Sequence, residues 1–167
     1  MDQNPENKYA GIILAAGLSS RMNSWKPELI IGSIPLVVHA VKSLLPFCSR
    51  IIVVGGFQYN RLEKIITDHT TMLFSGKDQI VVAENKDYEK GMFSSVQKAV
   101  SFISNDYAGV FLLPGDMPFV RSSTAEMLIK EYESGEAEVV IPAVRIAGED
   151  KLRKGHPVIF SMGVCSA

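Results

Sequence analysis

The residues that follow the first apolar segment of the chain combine small side chains with hydroxyls and cations. Residues 14–26 read LAAGLSSRMNSWK. The small residues Ala15 to Gly17 let a ligand approach the backbone closely, and Ser19 and Ser20 add hydroxyl donors. Arg21 and Lys26 supply two cations, and exposed backbone amides together with such cations suit a triphosphate. The loop therefore predicts a phosphate cradle, although a tight turn with Arg21 and Lys26 as solvated charges explains the same composition.

This loop belongs to neither of the two commonest nucleotide-binding types. The chain contains no GxxxxGK followed by Ser or Thr, which excludes a Walker loop. It also contains no GxGxxG, which excludes the dinucleotide-binding fingerprint. Any binding of phosphate would depend on the loop's own amides, hydroxyls and cations.

A second chemical feature is an acid held between glycine and proline. Residues 113–119 read LPGDMPF and follow the apolar run Gly109 to Leu113. Carboxylate oxygen is a ligand that Mg²⁺ prefers when it also holds phosphates, so Asp116 is a candidate metal ligand. An Asx-type turn, in which Asp116 bonds to its own backbone, is the alternative. Both features follow strands of one predicted sheet, and ligands bind at the carboxyl edge of such sheets.

Short apolar runs predict the strands that would position these two features. Their continuous apolarity is typical of strands buried on both faces. The five runs are Tyr9 to Ala15, Arg50 to Val54, Gln79 to Ala83, Gly109 to Leu113 and Glu138 to Pro142.

Apolar residues at helical spacing predict three helices between the strands. The three stripes are Leu62, Ile65, Ile66 and His69; Met92, Val96, Ala99, Val100 and Ile103; and Ala125, Leu128, Ile129 and Tyr132. Ser123 and Glu126 have the spacing of a capping box, which marks the start of the third helix. The alternation of strand and helix favours a doubly wound α/β fold, with a mostly parallel central sheet and helices on both faces.

Two further segments carry no apolar stripe. The polar segment Arg145 to Gly155 is expected to form an exposed loop or hairpin. Met1 to Asn7 has no apolar face that could dock, so we expect a frayed terminus there.

Composition limits the possible function classes. A length of 167 residues with 47% hydrophobic content suits one domain covering residues 1–167. A net charge of −1 and the lack of a long Lys/Arg run argue against nucleic acid as a partner. No run approaches the roughly 18 apolar residues of a membrane span, and the first residues are polar, so we expect a cytoplasmic protein. Cys48 and Cys165 lack metal or disulfide spacing, and we expect two reduced structural thiols.

At the two chemical features the sequence resembles a known family, the MobA-like NTP transferases. LAAGLSSRMNSWK is similar to the signature loop of nucleotidyltransferases related to molybdenum cofactor biosynthesis, and LPGDMP is similar to their metal-binding motif. The likeness extends to KGMFSSV at residues 90–96 and GHPV at residues 155–158. It covers nearly the whole chain and implies the three-layer, Rossmann-like fold of nucleotide-diphospho-sugar transferases. Within the family, the Ala-Ala-Gly loop, GMFSS, GDMP and GHP together look most like the molybdenum cofactor cytidylyltransferases.

The resemblance implies a role for individual residues. Arg21, Lys26 and Asp116 would be catalytic, with Arg21 and Lys26 on phosphate and Asp116 on Mg²⁺ or, as a second possibility, Mn²⁺. His156 and Pro157 would lie on the acceptor side. The residues implied in nucleotide binding are Leu14, Ala15, Ala16, Gly17, Ser19, Ser20, Arg21, Lys26, Gly91, Ser94 and Ser95.

The implied reaction is the transfer of CMP from CTP to a phosphorylated, molybdopterin-type acceptor with release of pyrophosphate. A terminal phosphate oxygen of the acceptor would attack the α-phosphate of CTP. Such transfers depend mainly on positioning and on neutralisation of charge.

The sequence departs from the family pattern at two places. Asn23 stands where relatives usually carry Gly after Arg-Met, and Asn tolerates left-handed backbone better than other non-glycine residues. Relatives also continue beyond Gly-His-Pro to a second acidic metal ligand, so we expect a domain shortened at the C-terminus, with Glu149 or Asp150 as other sources of that acid. An edge of the sheet exposed by shortening would favour a homo-oligomer.

Two alternatives to the cytidylyltransferase remain open from the sequence. One is another small-molecule nucleotidyltransferase: a molybdenum cofactor guanylyltransferase, a methylerythritol phosphate cytidylyltransferase or a sugar-phosphate enzyme. The other is a catalytically silent nucleotide-binding accessory module.

Overall fold

The computed structural model describes residues 8–18, 24–73, 79–135, 137–146, 148 and 151–165. Strands and helices alternate through most of this length. In chain order they are β1 (Tyr9–Leu14), β2 (Ile30–Ile31), β3 (Ile34–Pro35), α1 (Leu36–Leu44), β4 (Cys48–Gly55), α2 (Tyr59–Leu73), β5 (Ile80–Glu84), α3 (Met92–Val100), β6 (Gly109–Pro114), α4 (Ser122–Ser134), β7 (Val139–Val140), β8 (Ala143–Arg145), β9 (Leu152–Lys154), β10 (Val158–Phe160) and α5 (Met162–Cys165).

A six-stranded sheet forms the centre of the molecule. Its strand order is β5-β4-β1-β6-β10-β7. Strands β5, β4, β1 and β6 are parallel, whereas β10 runs antiparallel to both β6 and β7. Leu14, the last residue of β1, lies in register with Val54 on one side and Pro114 on the other. The mostly parallel sheet expected from the sequence is confirmed.

Helices cover both faces of this sheet and complete the three layers. Alternate residues of β1 enter different cores: Ile13 packs on the side of α1, α2 and α4, and Ile12 packs on the side of α3. Both side chains are fully buried, and burying one such side chain contributes about 1.5–3 kcal/mol. Strands buried on both faces account for the continuous apolar runs in the sequence.

Helix α1 was not predicted from the sequence. Its residues include Val37, Val38 and Val41, and β-branched residues are weak helix formers. Six of its nine residues are buried at helical spacing, and the polar residues His39 and Lys42 lie on the opposite side. Tertiary packing rather than local preference therefore holds α1 in place.

The capping box predicted at the start of α4 is wrong. The helix begins at Ser122, so the N-cap is Arg121, which has an extended backbone and makes no capping side-chain hydrogen bond. Ser123 lies inside the first turn, where its backbone is helical and its hydroxyl cannot serve as an N-cap. The spacing is present in the sequence, but it lies two positions past the observed N-cap.

Several predicted boundaries also shift. The strand predicted at Glu138 to Pro142 shortens to Val139–Val140, and α3 ends at Val100, before Ile103. Ile103 nevertheless packs into the core beneath α3. Its apolar side chain is therefore explained by burial, although the residue lies outside the helix.

The polar segment expected to form an exposed loop or hairpin does so. Strands β8 and β9 pair antiparallel, with Ala143 opposite Lys154, and all six of their residues are exposed. Met1 to Asn7 lie outside the described residues. None of the helices in the described part of the chain has both the length and the apolar character that a membrane span needs.

Candidate functional site

The carboxyl ends of β1 and β6 form a crevice at which the chain changes direction across the sheet. After β1 the chain builds outward through β4 and β5, and it then returns to the other side of β1 as β6. Ligands of open α/β sheets bind at such a switch point. A cleft with a volume of about 440 Å³ opens at this point. Its lining consists of Leu14, Ala15, Ala16, Gly17, Leu18, Lys26, Pro27, Tyr88, Glu89, Gly91, Met92, Ser95, Pro114, Gly115 and Asp116.

Backbone hydrogen bonds hold the loops of the cleft close together. The amide of Gly115 donates to the carbonyl of Leu14 at 2.8 Å, and the amide of Ala15 donates to Val54 at 2.9 Å. A Cβ atom on Gly115 would lie 3.0 Å from the Leu14 carbonyl oxygen and 3.3 Å from the Ala15 side chain. A larger residue would push the two loops apart, so Gly115 permits the close approach that brings the acid next to the first loop.

An ion pair joins these loops across the cleft. Lys26 Nζ lies 3.0 Å from Asp116 Oδ2, and the two side chains are 38% and 43% exposed. Lys26 stands between Trp25 and Pro27, both buried, which anchor the backbone on either side of it. Asp116 lies in the segment that follows β6, as the sequence predicted. Both charges therefore have fixed backbones and side chains that a ligand can reach.

The opposite wall of the cleft comes from the segment between β5 and α3. Gly91 is the N-cap of α3 and has φ of +102°, a conformation that favours glycine. Ser95 is 3% exposed and lines the cleft. The hydroxyl of Ser94 instead donates to the carbonyls of Gly91 at 2.8 Å and Asp87 at 3.0 Å. Ser94 thus stabilises the start of α3 and does not itself line the cleft.

Sequence reasoning missed two parts of this wall. Tyr88 packs on Gly56, since a Cβ atom there would lie 2.5 Å from the Tyr88 side chain. Asn85 is buried and donates hydrogen bonds to both Ser94 and Ser95. The only signal that could have revealed Asn85 is its place just after the run that forms β5. Asp116 has a similar place after β6.

A second cavity of about 410 Å³ lies beside the acid segment, residues 113–119. Its lining is Met117, Pro118, Phe119, Val120, Arg121, Thr124 and His156. Burial lowers the pKa of His156 below its ordinary value, and the nearby negative charge of Asp116 partly opposes this change. His156 is therefore close enough to Asp116 to interact with it electrostatically, and Pro157 is buried behind it.

The structure brings together eight of the residues singled out in the sequence. The eight that line the main cleft are Leu14, Ala15, Ala16, Gly17, Lys26, Gly91, Ser95 and Asp116. His156 lines the neighbouring cavity instead. Ser19, Ser20 and Arg21 lie outside the described residues, as do Glu149 and Asp150.

The donor set suits a hard divalent cation that takes most of its ligands from elsewhere. Asp116 offers a half-exposed carboxylate at the cleft. Within the described ranges, no group of three or more His, Cys, Asp or Glu side chains is placed to hold a metal by itself. Mg²⁺ is commonly bound by one or two carboxylates together with substrate phosphates and water, so the arrangement fits such an ion.

Comparison with known proteins decides the family. The family model described as "MobA-like NTP transferase domain" matches residues 11–167. The chain belongs to the MobA-like NTP transferase family. The match includes the first loop, the Asn85 to Ser95 wall and the acid after β6, so the cleft lies within the family domain, and the chain is a nucleotidyltransferase.

A curated relative agrees with membership of this family, and solved structures share the fold. The molybdenum cofactor cytidylyltransferase of Escherichia coli is 37% identical over 150 residues, which make up 90% of this chain and 68% of that protein. A nucleotidyl transferase from Methanothermobacter superposes with a TM-score of 0.71 at 18% identity, covering 95% of this chain and 73% of the other. The 4-diphosphocytidyl-2C-methyl-D-erythritol synthase of Anaerococcus prevotii superposes with a TM-score of 0.70 at 17% sequence identity, and the alignment covers 93% of this chain and 70% of that one. The two structures confirm the nucleotide-diphospho-sugar transferase fold.

Proposed function

We propose that this chain transfers CMP from CTP to a phosphorylated, molybdopterin-type acceptor and releases pyrophosphate. The observation that carries the proposal is the Lys26–Asp116 pair at 3.0 Å, set at the switch point between β1 and β6. A cation suited to phosphate and a carboxylate suited to a metal ion thus lie side by side at one cleft, which supports the proposed roles. The 37% identity to a molybdenum cofactor cytidylyltransferase supports CTP and this class of acceptor.

The chain's own groups would act by positioning and by neutralising charge. An acceptor phosphate oxygen attacks the α-phosphorus of CTP, the bond from that phosphorus to the oxygen bridging the β-phosphate breaks, and pyrophosphate leaves. Lys26 would leave Asp116 and bind the triphosphate, which carries more charge than one carboxylate. The backbone amides of Ala16 and Gly17 offer further donors to phosphate, in the manner of other anion-binding loops. Arg21, outside the described residues, is proposed to add a second cation.

Asp116 would hold the metal ion once Lys26 has turned to phosphate. Mg²⁺ bound there would supply neutralisation of the charge that develops on the phosphate oxygens. Mn²⁺ favours the same oxygen ligands and is the second candidate. The exchange of Lys26 for a metal on Asp116 keeps the carboxylate paired with a cation in both states.

The acceptor would enter from the cavity that holds His156. This cavity adjoins the acid segment through Met117 and Pro118, and Arg121 supplies a positive charge there. A phosphorylated acceptor suits that charge. Pro157 would support His156 from the core side, where it is buried.

The test is pyrophosphate release with CTP, GTP or UTP, each with Mg²⁺ and a molybdopterin-type acceptor. We expect release with CTP to exceed release with the other two. Preference for GTP would favour a guanylyltransferase, and CTP-dependent release with methylerythritol phosphate alone would favour the other cytidylyltransferase. Binding of CTP without release with any acceptor would favour a silent accessory module. The cytoplasmic location expected from the sequence stays a prediction.

A further inference from the structure

A buried asparagine lies directly behind the cleft wall. Asn85 follows β5 and is only 4% exposed. Its side-chain nitrogen donates to the hydroxyl oxygens of Ser94 and Ser95, each at 2.9 Å, and its side-chain oxygen accepts the amide of Asp87 at 2.9 Å. A buried amide is costly unless its hydrogen bonds are made, so these three bonds favour a single arrangement of the surrounding chain.

This arrangement fixes the segment that supplies the wall. The backbone amide of Asn85 donates to Gly55 at 2.8 Å, which ties the segment to the end of β4. Tyr88 then packs on Gly56, and the amide of Gly91 donates to the carbonyl of Tyr88 at 3.2 Å. The segment thus begins at the sheet and ends at α3: the backbone amide of Asn85 is bonded to the sheet, and its side chain is bonded to α3.

The hydrogen-bond count also sets the direction in which Ser95 can donate. The Asn85 amide has two N–H donors, and both are used on the two serine oxygens. Ser94 passes its own proton to the Gly91 or Asp87 carbonyl. Among the described residues, no acceptor is found for the proton of Ser95, whose side chain lines the cleft. The Ser95 hydroxyl is therefore held as a donor for a ligand.

We propose that Asn85 is a positioning residue for the nucleotide: it holds the Tyr88 to Ser95 wall in place and keeps the Ser95 proton available to an acceptor atom of bound CTP. This inference rests on the proposed function, because it assumes that CTP occupies the cleft. It assigns Asn85 no contact with the reacting atoms. Its effect passes through Ser95 and the wall.

Asn85→Asp is the sharpest variant, because it keeps the shape and removes both N–H donors. The serine hydroxyls would then have to donate hydrogen bonds to the carboxylate, so the Ser95 O–H would point at Asp and away from the cleft. A negative charge would also stand behind a site for a triphosphate. We expect the Kd for CTP with Mg²⁺, measured by calorimetry, to rise about tenfold or more, as for one lost buried hydrogen bond. The KM for CTP should rise by a similar factor, with a smaller change in kcat at saturating CTP.

Controls separate this role from a structural one. Asn105→Asp makes the same substitution at an exposed turn before β6, at the opposite edge of the sheet, and should leave the Kd unchanged. Ser95→Ala should weaken CTP binding by itself, whereas Ser101→Ala, exposed just beyond α3, should not. The double variant Asn85→Asp with Ser95→Ala should bind little worse than Asn85→Asp, since both act through one hydroxyl. Circular dichroism checks that each variant is folded at the temperature used.

Each outcome decides between the two hypotheses. If the unmodified chain binds no CTP, the proposed function fails. If it binds CTP and Asn85→Asp binds equally well, the positioning role alone is overturned. If Asn85→Asp does not fold, Ser95→Ala decides: unchanged affinity for CTP overturns the inference, and weakened affinity supports it.

Discussion

At the scale of single residues, the Lys26–Asp116 pair holds together the two charges to which the proposed function assigns the phosphate and the metal ion. Both side chains are partly exposed, and such surface pairs contribute only about 0–1 kcal/mol. Breaking the pair therefore costs little, and a triphosphate with a metal ion can take its place. The pair keeps two charges in one cleft without a strong contribution to stability.

Loss of either partner should affect catalysis far more than folding. We expect Lys26→Ala and Asp116→Ala each to lower kcat/KM by about 100-fold or more, the usual effect of removing one preorganised charge from a transition state. Their unfolding temperatures should stay near that of the unmodified chain. The control is Lys64→Ala, which breaks the exposed Lys64–Asp68 pair on α2, at 3.1 Å and outside the cleft. Near-normal turnover in both cleft variants would exclude the proposed roles.

A buried thiol gives a second prediction at this scale. Cys48 is fully buried, and burial raises the pKa of its thiol well above the ordinary 9.0. Cys165→Ser leaves Cys48 as the only thiol of the sequence. This variant should not react with a thiol reagent while it is folded, and it should react once guanidinium has unfolded it. Fast reaction of the native variant would contradict this.

The raised pKa of Cys48 also determines how the stability of the fold changes with pH. A thiol kept neutral in the fold favours folding below its ordinary pKa, and the stability is lost as pH rises above it. The free energy of unfolding should therefore fall above pH 9.0, and Cys48→Ala should reduce that slope.

At the scale of elements, packing against Tyr88 makes Gly56 a sensitive position. A Cβ atom there would meet Tyr88 at 2.5 Å, so Gly56→Ala must displace the ring from the cleft wall. We expect a loss of about 1–3 kcal/mol in unfolding free energy and weaker CTP binding. Gly135→Ala, where the nearest atom is 3.5 Å away, is the matched control. The double variant Gly56→Ala with Tyr88→Gly removes both atoms at 2.5 Å, the Cβ and Cγ of Tyr88, so it should be more stable than the two single losses added together; simple additivity would argue against the clash.

The elements also show what the sequence could and could not reveal. Strands buried on both faces leave continuous apolar runs, so β1, β4, β5 and β6 were found with boundaries off by no more than two residues at either end. Helix α1 was missed because its valines are weak helix formers, although its buried residues keep helical spacing. For the site, the residue types of Lys26 and Asp116 were readable. Asn85 was not, because a single buried amide becomes informative only when its hydrogen-bond partners are known.

For the molecule as a whole, one edge of the described sheet is the strand β7. Strand β7 has two residues, and Val139 is 41% exposed on it. Unpaired strand edges associate with other chains, and we predict weak self-association through β7. Sedimentation at increasing concentration should show a rising mass, which Val139→Lys should suppress. A monomer at high concentration would count against the prediction.

The pairing of β1 with β6 also has a consequence for synthesis. Lys26 and Asp116 are 90 residues apart, and β1 has no partner on that side until β6 exists. A ribosome adding about 5–20 residues per second needs roughly 5–20 s to cross this interval. During that time the nascent chain exposes one flank of its first strand. Under the proposed function, the nucleotide site is complete only after Asp116 has been translated, so we predict that CTP stabilises finished chains and leaves incomplete ones to chaperones and proteases.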